Sequence, residues 1–496
     1  MSEALRRISG RDSRLLYAET EPAHSNLSFV QIYDQATAAG GKLRFKTLLG
    51  HIESRLHRSP VFRSKLQRVP LGLDRPFWIE DPHFDLEYHV RHIALPKPGD
   101  WRQFCIQASR IHARALDLNR PLWEIYVIEG LDSLIDLPVG SFALLTKVHA
   151  AATNPELRNE LLSALHDTTA HLPPPAPPAP WFAQRPPSVW AQTVRGATKT
   201  LLSPRRLLTP LLRALPTAVA FAGDLLKWPD YENTTRFNSV VSPHRVFDSR
   251  RFALHDFAGI AALVPGATVE DAIVAVCAGG LRDYLELHGE LPAGELTGLA
   301  PARGTADPSA ARGLGRRFGH GLRLRLGTDT TDPLRCLAAL HQQTTSAPAH
   351  RVSTGIRGAA PVACTFTPLP GPTEPWFLAG ARMTYLSALL PISDGQGLAF
   401  ATTVYDGRVV ISPTSCRELM PDPEVFAQCL RDSFQQLLAL AGNAQRPPAS
   451  GKTLRPPPPR ESSPGTHSPA RRSARKAATS PAPGPAARPR STAPKR

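Results

Sequence analysis

The chain has 496 residues, 42% of them hydrophobic, and its 51 prolines are about double average usage. That length exceeds what one hydrophobic core usually supports, so two domains are expected. Most of the +16 formal charge lies in the last 51 residues, which carry 12 Lys/Arg against the single acid Glu461; the body is left near neutrality, and its basicity is no sign of nucleic-acid binding.

In chain order, the N-terminus (Met1 to Ile8) has no apolar h-region, so no signal peptide is expected. From Ser28 to Leu165, helical and strand-like segments alternate. Phe45–Leu56 is predicted helical, with Leu48, Leu49, Ile52 and Leu56 on one face, and so is Gln103–Leu116, with Phe104, Ala108, Ile111 and Ala115. Trp123–Glu129 and Gly140–His149 read as strands. Residues 172–188 are too proline-rich for a helix or a central strand and read as a stiff linker. Residues 190–228 form one or two helices rich in Leu, Arg and Lys, either a surface that lies on a membrane or lipid droplet or a connector packed on its neighbours. A second domain runs from Arg236 to Ala441 and closes with a helix over Asp422–Leu440, with an apolar stripe of Val425, Phe426, Cys429, Leu430, Phe434, Leu437 and Leu438. The tail cannot bury enough apolar surface to order itself. It is either a solvated extension or a basic arm that touches polyanions without specificity. The expected division is 1–171, 172–235, 236–441 and 442–496.

Six scattered cysteines show no CxxC pair and no metal-like spacing, and a reducing, cytoplasmic setting fits them. No apolar run approaches the ~18 residues needed to span a bilayer, so the expected protein is soluble or peripheral.

The second strand ends in Lys147-Val148-His149-Ala150-Ala151-Ala152-Thr153-Asn154-Pro155, which looks like an HHxxxDG acyltransferase motif with most of its chemistry removed. Pro121-Leu122-Trp123-Glu124 lies shortly before it. Phe237-Asn238 and Ser242-Pro243-His244-Arg245 follow the linker, then Gly266 to Arg282 with Glu270 and Asp271, then a segment read as a loop, Thr367-Pro368-Leu369-Pro370-Gly371-Pro372. Leu378-Ala-Gly-Ala, Asp394-Gly-Gln-Gly-Leu398 and Tyr405-Asp-Gly407 close the series. In this order the segments resemble the bacterial wax ester synthase/acyl-CoA:diacylglycerol acyltransferase family over roughly residues 10–441.

The resemblance implies an α/β fold of two chloramphenicol-acetyltransferase-like lobes, shared with peptide-synthetase condensation domains. It also implies O-acyl transfer from acyl-CoA, as co-substrate, to diacylglycerol or a long-chain alcohol, with no cofactor or metal. Pro121, Leu122, Trp123, Asp271, Arg282, Pro370 and Gly371 would be binding or structural motif positions. The family's base is its second histidine, and Ala150 stands there. Asn154 replaces the aspartate that orders the loop, and Pro155 replaces a glycine. His149 and His320 are weak substitutes, and His166, expected with Asp167 on the helix after the motif, a weaker one. A neighbouring residue in extended backbone points to the opposite face, which favours a structural His149. A catalytically inactive acyl-lipid-binding or regulatory homologue is therefore the alternative to an active transferase.

Overall fold

The computed structural model describes residues 7–69, 75–133, 137–152, 155–170, 181, 233–301, 321–346, 351–352 and 362–445. Asn154, His320, nearly all of the linker with the 190–228 segment, and the tail beyond Gln445 lie outside these residues.

The N-terminal half contributes strands β1 (Asn26–Asp34), β2 (Ser64–Gln67), β3 (Phe77–Glu80), β4 (Val90–Ala94), β5 (Trp123–Leu131) and β6 (Ser141–His149). The C-terminal half contributes β7 (Arg245–Phe247), β8 (Arg250–Ala253), β9 (Thr297–Pro301), β10 (Gly321–Arg325), β11 (Arg351–Val352), β12 (Cys364–Pro370), β13 (Phe377–Leu378), β14 (Ala381–Leu389), β15 (Ala399–Tyr405) and β16 (Arg408–Cys416). The helices are α1 (Gly10–Tyr17), α2 (Phe45–Arg55), α3 (Leu86–His89), α4 (Trp101–Ala113), α5 (Pro155–Leu165), α6 (Leu254–Ala261), α7 (Val269–Leu287), α8 (Pro333–Ser346) and α9 (Pro423–Gln445).

Two large sheets result. The first runs β13-β14-β1-β6-β5-β4 and the second β11-β10-β9-β12-β15-β16-β7, with β8 also on β16. Strand β14 comes from the C-terminal half, yet it pairs antiparallel with β1 from Ser28↔Leu389 to Asp34↔Arg382. Nothing in its alternation distinguishes a strand that stays in its own half from one that crosses.

Both faces of the first sheet are covered, which is why β6 reads as one apolar run and is buried along its whole length. On one face Leu27, Phe29, Leu144 and Val148 join a core with Leu48 and Ile52 of α2 and Leu161 and Leu165 of α5. On the other, Val30, Ile32, Ala143 and Leu145 pack with Phe104, Ala108 and Ile111 of α4, and with Phe247 and Val410 of the second sheet. A seam between the two sheets therefore lies on this second face. It is fastened by Trp101 Nε1 donating to Asp248 Oδ1 (2.7 Å) and by Tyr385 and Ser249, whose hydroxyls are 2.5 Å apart.

Four sequence expectations need adjusting. The helix expected to reach Leu116 ends at Ala113, because Arg114 turns to extended backbone (φ −71°, ψ 144°) and Ala115 is exposed. The closing helix extends to Gln445, and Val425 at its start is exposed, so the buried stripe begins at Phe426. Residues Thr367–Pro370, expected as a loop, are strand. Thr365 and Gly371 N–H groups donate to Leu398, just before β15, and to Val404 of β15, so the even positions face the other way. On that side the described residues of β9 pair only with Cys364 and Thr365, and Pro368 and Pro370, which lack an N–H, forfeit no ladder bond to it. Finally, His166 and Asp167 lie just past α5 rather than on it.

Candidate functional site

β6 and β5 bring the degenerate motif and the Pro121–Glu124 segment together. Glu124 stands opposite Lys147 in the ladder, and the His149 N–H donates to Leu122 O (3.0 Å). Pro121, Leu122 and Trp123 are buried; the Trp123 indole donates to Phe62 O (3.0 Å) and stacks on His89. They support the strand end from below.

Lys147 is fully buried, a costly place for an ammonium group unless it is matched. Its Nζ donates to Arg114 O (2.5 Å), at the C-terminus of α4, and lies 3.7 Å from Glu124 Oε2. Asn26 Nδ2 donates to the same carbonyl (2.9 Å) and to His112 O (3.3 Å), so a cation and an amide together cap the negative end of the helix. Burial pulls the Lys147 amine down to about 8, against the pull of Glu124.

His149 is buried and engaged at both nitrogens. Nδ1 accepts from the Ala151 N–H (3.0 Å), which leaves Nε2 carrying the proton and donating to Glu19 Oε1 (2.9 Å). Burial would raise the Glu19 pKa, but the hydrogen bond and charge of His149 and the Ser25 N–H outweigh it, and the carboxyl lies below its ordinary value. With no lone pair free, His149 is poorly placed to take a proton. Ala150 begins a 3₁₀ turn, Ala150–Ala152, and its N–H donates to Ser25 O (2.8 Å). Pro155 opens α5, where a missing N–H costs nothing.

The other motif positions serve the second half. Asp271 is the N3 residue of α7, in a reciprocal capping box with Thr268; it also accepts from Thr344 Oγ1 (2.9 Å) and is paired with His341 Nδ1 (3.1 Å), which ties α7 to α8. Glu270 is exposed in the first turn of the same helix. Arg282 pairs with Glu286 at 2.7 Å, one turn along α7. Gly371 closes β12 beside β15: a Cβ there would sit 2.5 Å from Val404 O. His166 is also engaged, at Leu162 O (2.5 Å) and Tyr33 OH (2.6 Å).

Sequence reading missed Glu19 and the capping role of Lys147. Each acts through a partner distant in the chain, and no local spacing signals it.

Residues 8–273 match the wax ester synthase/diacylglycerol acyltransferase catalytic domain, and residues 330–438 match the WS/DGAT C-terminal domain. The chain is 31% identical over 346 residues (68% of this chain, 71% of the relative) to a Mycobacterium tuberculosis protein named "Putative diacylglycerol O-acyltransferase". It is 29% identical over 415 residues (76% and 84%) to the O-acyltransferase WSD of Acinetobacter baylyi. Among solved structures, the wax ester synthase/diacylglycerol acyltransferase from Marinobacter aquaeolei VT8 superposes with a TM-score of 0.65 at 22% identity, covering 88% of this chain and 100% of that one. A starter condensation domain of rhizomide synthetase, in complex with C8-CoA and Leu-SNAC, superposes at 0.51 with 12% identity, covering 89% and 96%. These two likenesses establish the two-lobe fold.

Proposed function

This chain belongs to the wax ester synthase/diacylglycerol acyltransferase family, and from that premise we propose that it moves an acyl group from acyl-CoA to the hydroxyl of diacylglycerol or a long-chain alcohol, with a base other than the residue at position 150. The observation that carries this reading is the match to both family domains on a two-lobe scaffold whose motif strand is still fully pinned, at Leu122, Glu124 and Arg114. A hydroxyl is a poor nucleophile at neutral pH, and a positioned base contributes about 10²–10⁴-fold. Ala150 has no proton acceptor.

One observation favours a second reading, a homologue that holds acyl lipids without turnover: His149, the surviving motif histidine, is engaged at both nitrogens. Acyl transfer from a long-chain acyl-CoA to diacylglycerol and to a long-chain alcohol separates the two when the native chain and Ala150→His are run side by side. Native turnover above background supports the transferase. A dead native chain that gains activity on Ala150→His supports the binder. The proposed site of action, a membrane or lipid-droplet surface, rests on the basic, leucine-rich 190–228 segment. Flotation with anionic lipid vesicles that survives deletion of that segment would remove its support.

A further inference from the structure

The residues before β1 form a short loop that touches both halves of the molecule beside the motif. Thr20 and Ala23 exchange backbone hydrogen bonds (3.2 and 3.0 Å), which closes a tight turn over Glu21 and Pro22. Pro22 O accepts from Arg245 Nη2 of β7 (2.6 Å). Glu19 accepts from the Ser25 N–H (2.6 Å) and from His149, and Ser25 O accepts the Ala150 N–H. The loop is thus clamped to the position where the family carries its base.

His24 stands in this loop, half-buried, and forms no hydrogen bond with any described residue. Within electrostatic reach of its ring are Glu19 of its own loop, Lys147 and His149 of β6, Arg245 of β7, and His112 of α4. Burial lowers its pKa from 6.5; Lys147, Arg245 and His149 push the same way, and Glu19 opposes them. The ring is neutral at pH 7. A free imidazole in a loop hydrogen-bonded to His149 and Ala150 suits a group that brings a hydroxyl proton.

We propose that His24 is the general base that replaces the lost motif histidine. This rests on the transferase reading. The hydroxyl proton passes to the free ring nitrogen of His24 as the oxygen bonds to the thioester carbonyl carbon. The tetrahedral adduct then collapses, the C–S bond breaks, and the imidazolium returns its proton to the departing CoA thiolate. The products are ester and CoA–SH, with no other reactant.

The full chain, His24→Gln and His24→Ala are compared with long-chain acyl-CoA as donor and diacylglycerol or a long-chain alcohol as acceptor. His24→Gln is expected to lower kcat by about 10²–10⁴-fold with an unchanged Tm. Added imidazole should restore part of the His24→Ala rate, and the native acid limb, below pH 6.5, should vanish in both variants. A His24→Gln rate within threefold of native overturns the proposal and leaves the transferase reading standing. So does a loss matched by a lower Tm and unrelieved by imidazole. A native chain with no turnover on either acceptor overturns both.

Discussion

His149 kept its place while its neighbour became alanine, and its contacts explain what it is worth. The imidazole bridges a backbone N–H and a half-buried carboxylate 130 positions earlier, so it ties the turn after β6 to the loop before β1. His149→Ala strands both partners and should cost about 1–3 kcal/mol, read as a shift in equilibrium unfolding. Turnover per folded molecule should stay within a few-fold; a collapse in rate with full stability would make His149 catalytic after all. The loss of the neighbouring base was legible in the sequence, because position 150 follows directly from the motif. The partner of His149 was not: Glu19 lies in an irregular stretch whose spacing carries no period.

At the scale of elements, a buried lysine sets how α4 meets the first sheet. Lys147→Met removes one of the two cations 3.7 Å from Glu124, Arg91 being the other, and uncaps the α4 terminus, and should cost about 1–3 kcal/mol. Adding Glu124→Gln should recover much of that in a double-mutant cycle of denaturant midpoints; an additive double variant would show that the two are uncoupled. Helices α7 and α9 depend on close approach in a different way. A Cβ on Gly280 would lie 2.7 Å from Leu430 Cδ2 and 2.9 Å from its Cα, so Gly280→Ala must push the helices apart, at about 1–3 kcal/mol, with a matching fall in Tm. Amphipathic helices such as α2 and α4 were legible because their apolar positions repeat every three or four residues. The strand character of Thr367–Pro370 was hidden because prolines normally exclude a strand, and it is admitted here because their missing N–H groups point away from β15.

For the whole molecule, buried neutral histidines tie stability to pH. Burial lowers His51 to about 4, His112 to about 3 and His166 to about 4. Unfolded histidines take a proton near pH 6.5, whereas these stay neutral until the medium is far more acidic. The unfolded chain therefore binds more protons between pH 6.5 and about 4, and acidification through that window destabilises the fold. Each histidine contributes up to about 1.4 kcal/mol per pH unit. Urea midpoints at pH 7.5, 6.0 and 5.0 should fall in that order, and His166→Gln should flatten the slope; a midpoint constant over this range would contradict the assignment. The two-lobe fold was legible in the order of its motifs. The exchange of β14 into the first sheet was not, because pairing partners 350 residues apart leave no trace in local alternation.

That exchange sets an order of events on the ribosome. Strands β1, β4, β5 and β6 emerge early, but the neighbour that covers the outer edge of β1 is not made until Leu389 has left the exit tunnel. For more than two hundred codons the nascent sheet shows an open row of N–H and C=O groups along a strand of apolar residues, a ready template for pairing with another chain. A fragment ending near residue 170 should therefore aggregate when expressed alone and be rescued by a co-expressed C-terminal half. The intact chain would need shielding by a chaperone until its last third arrives.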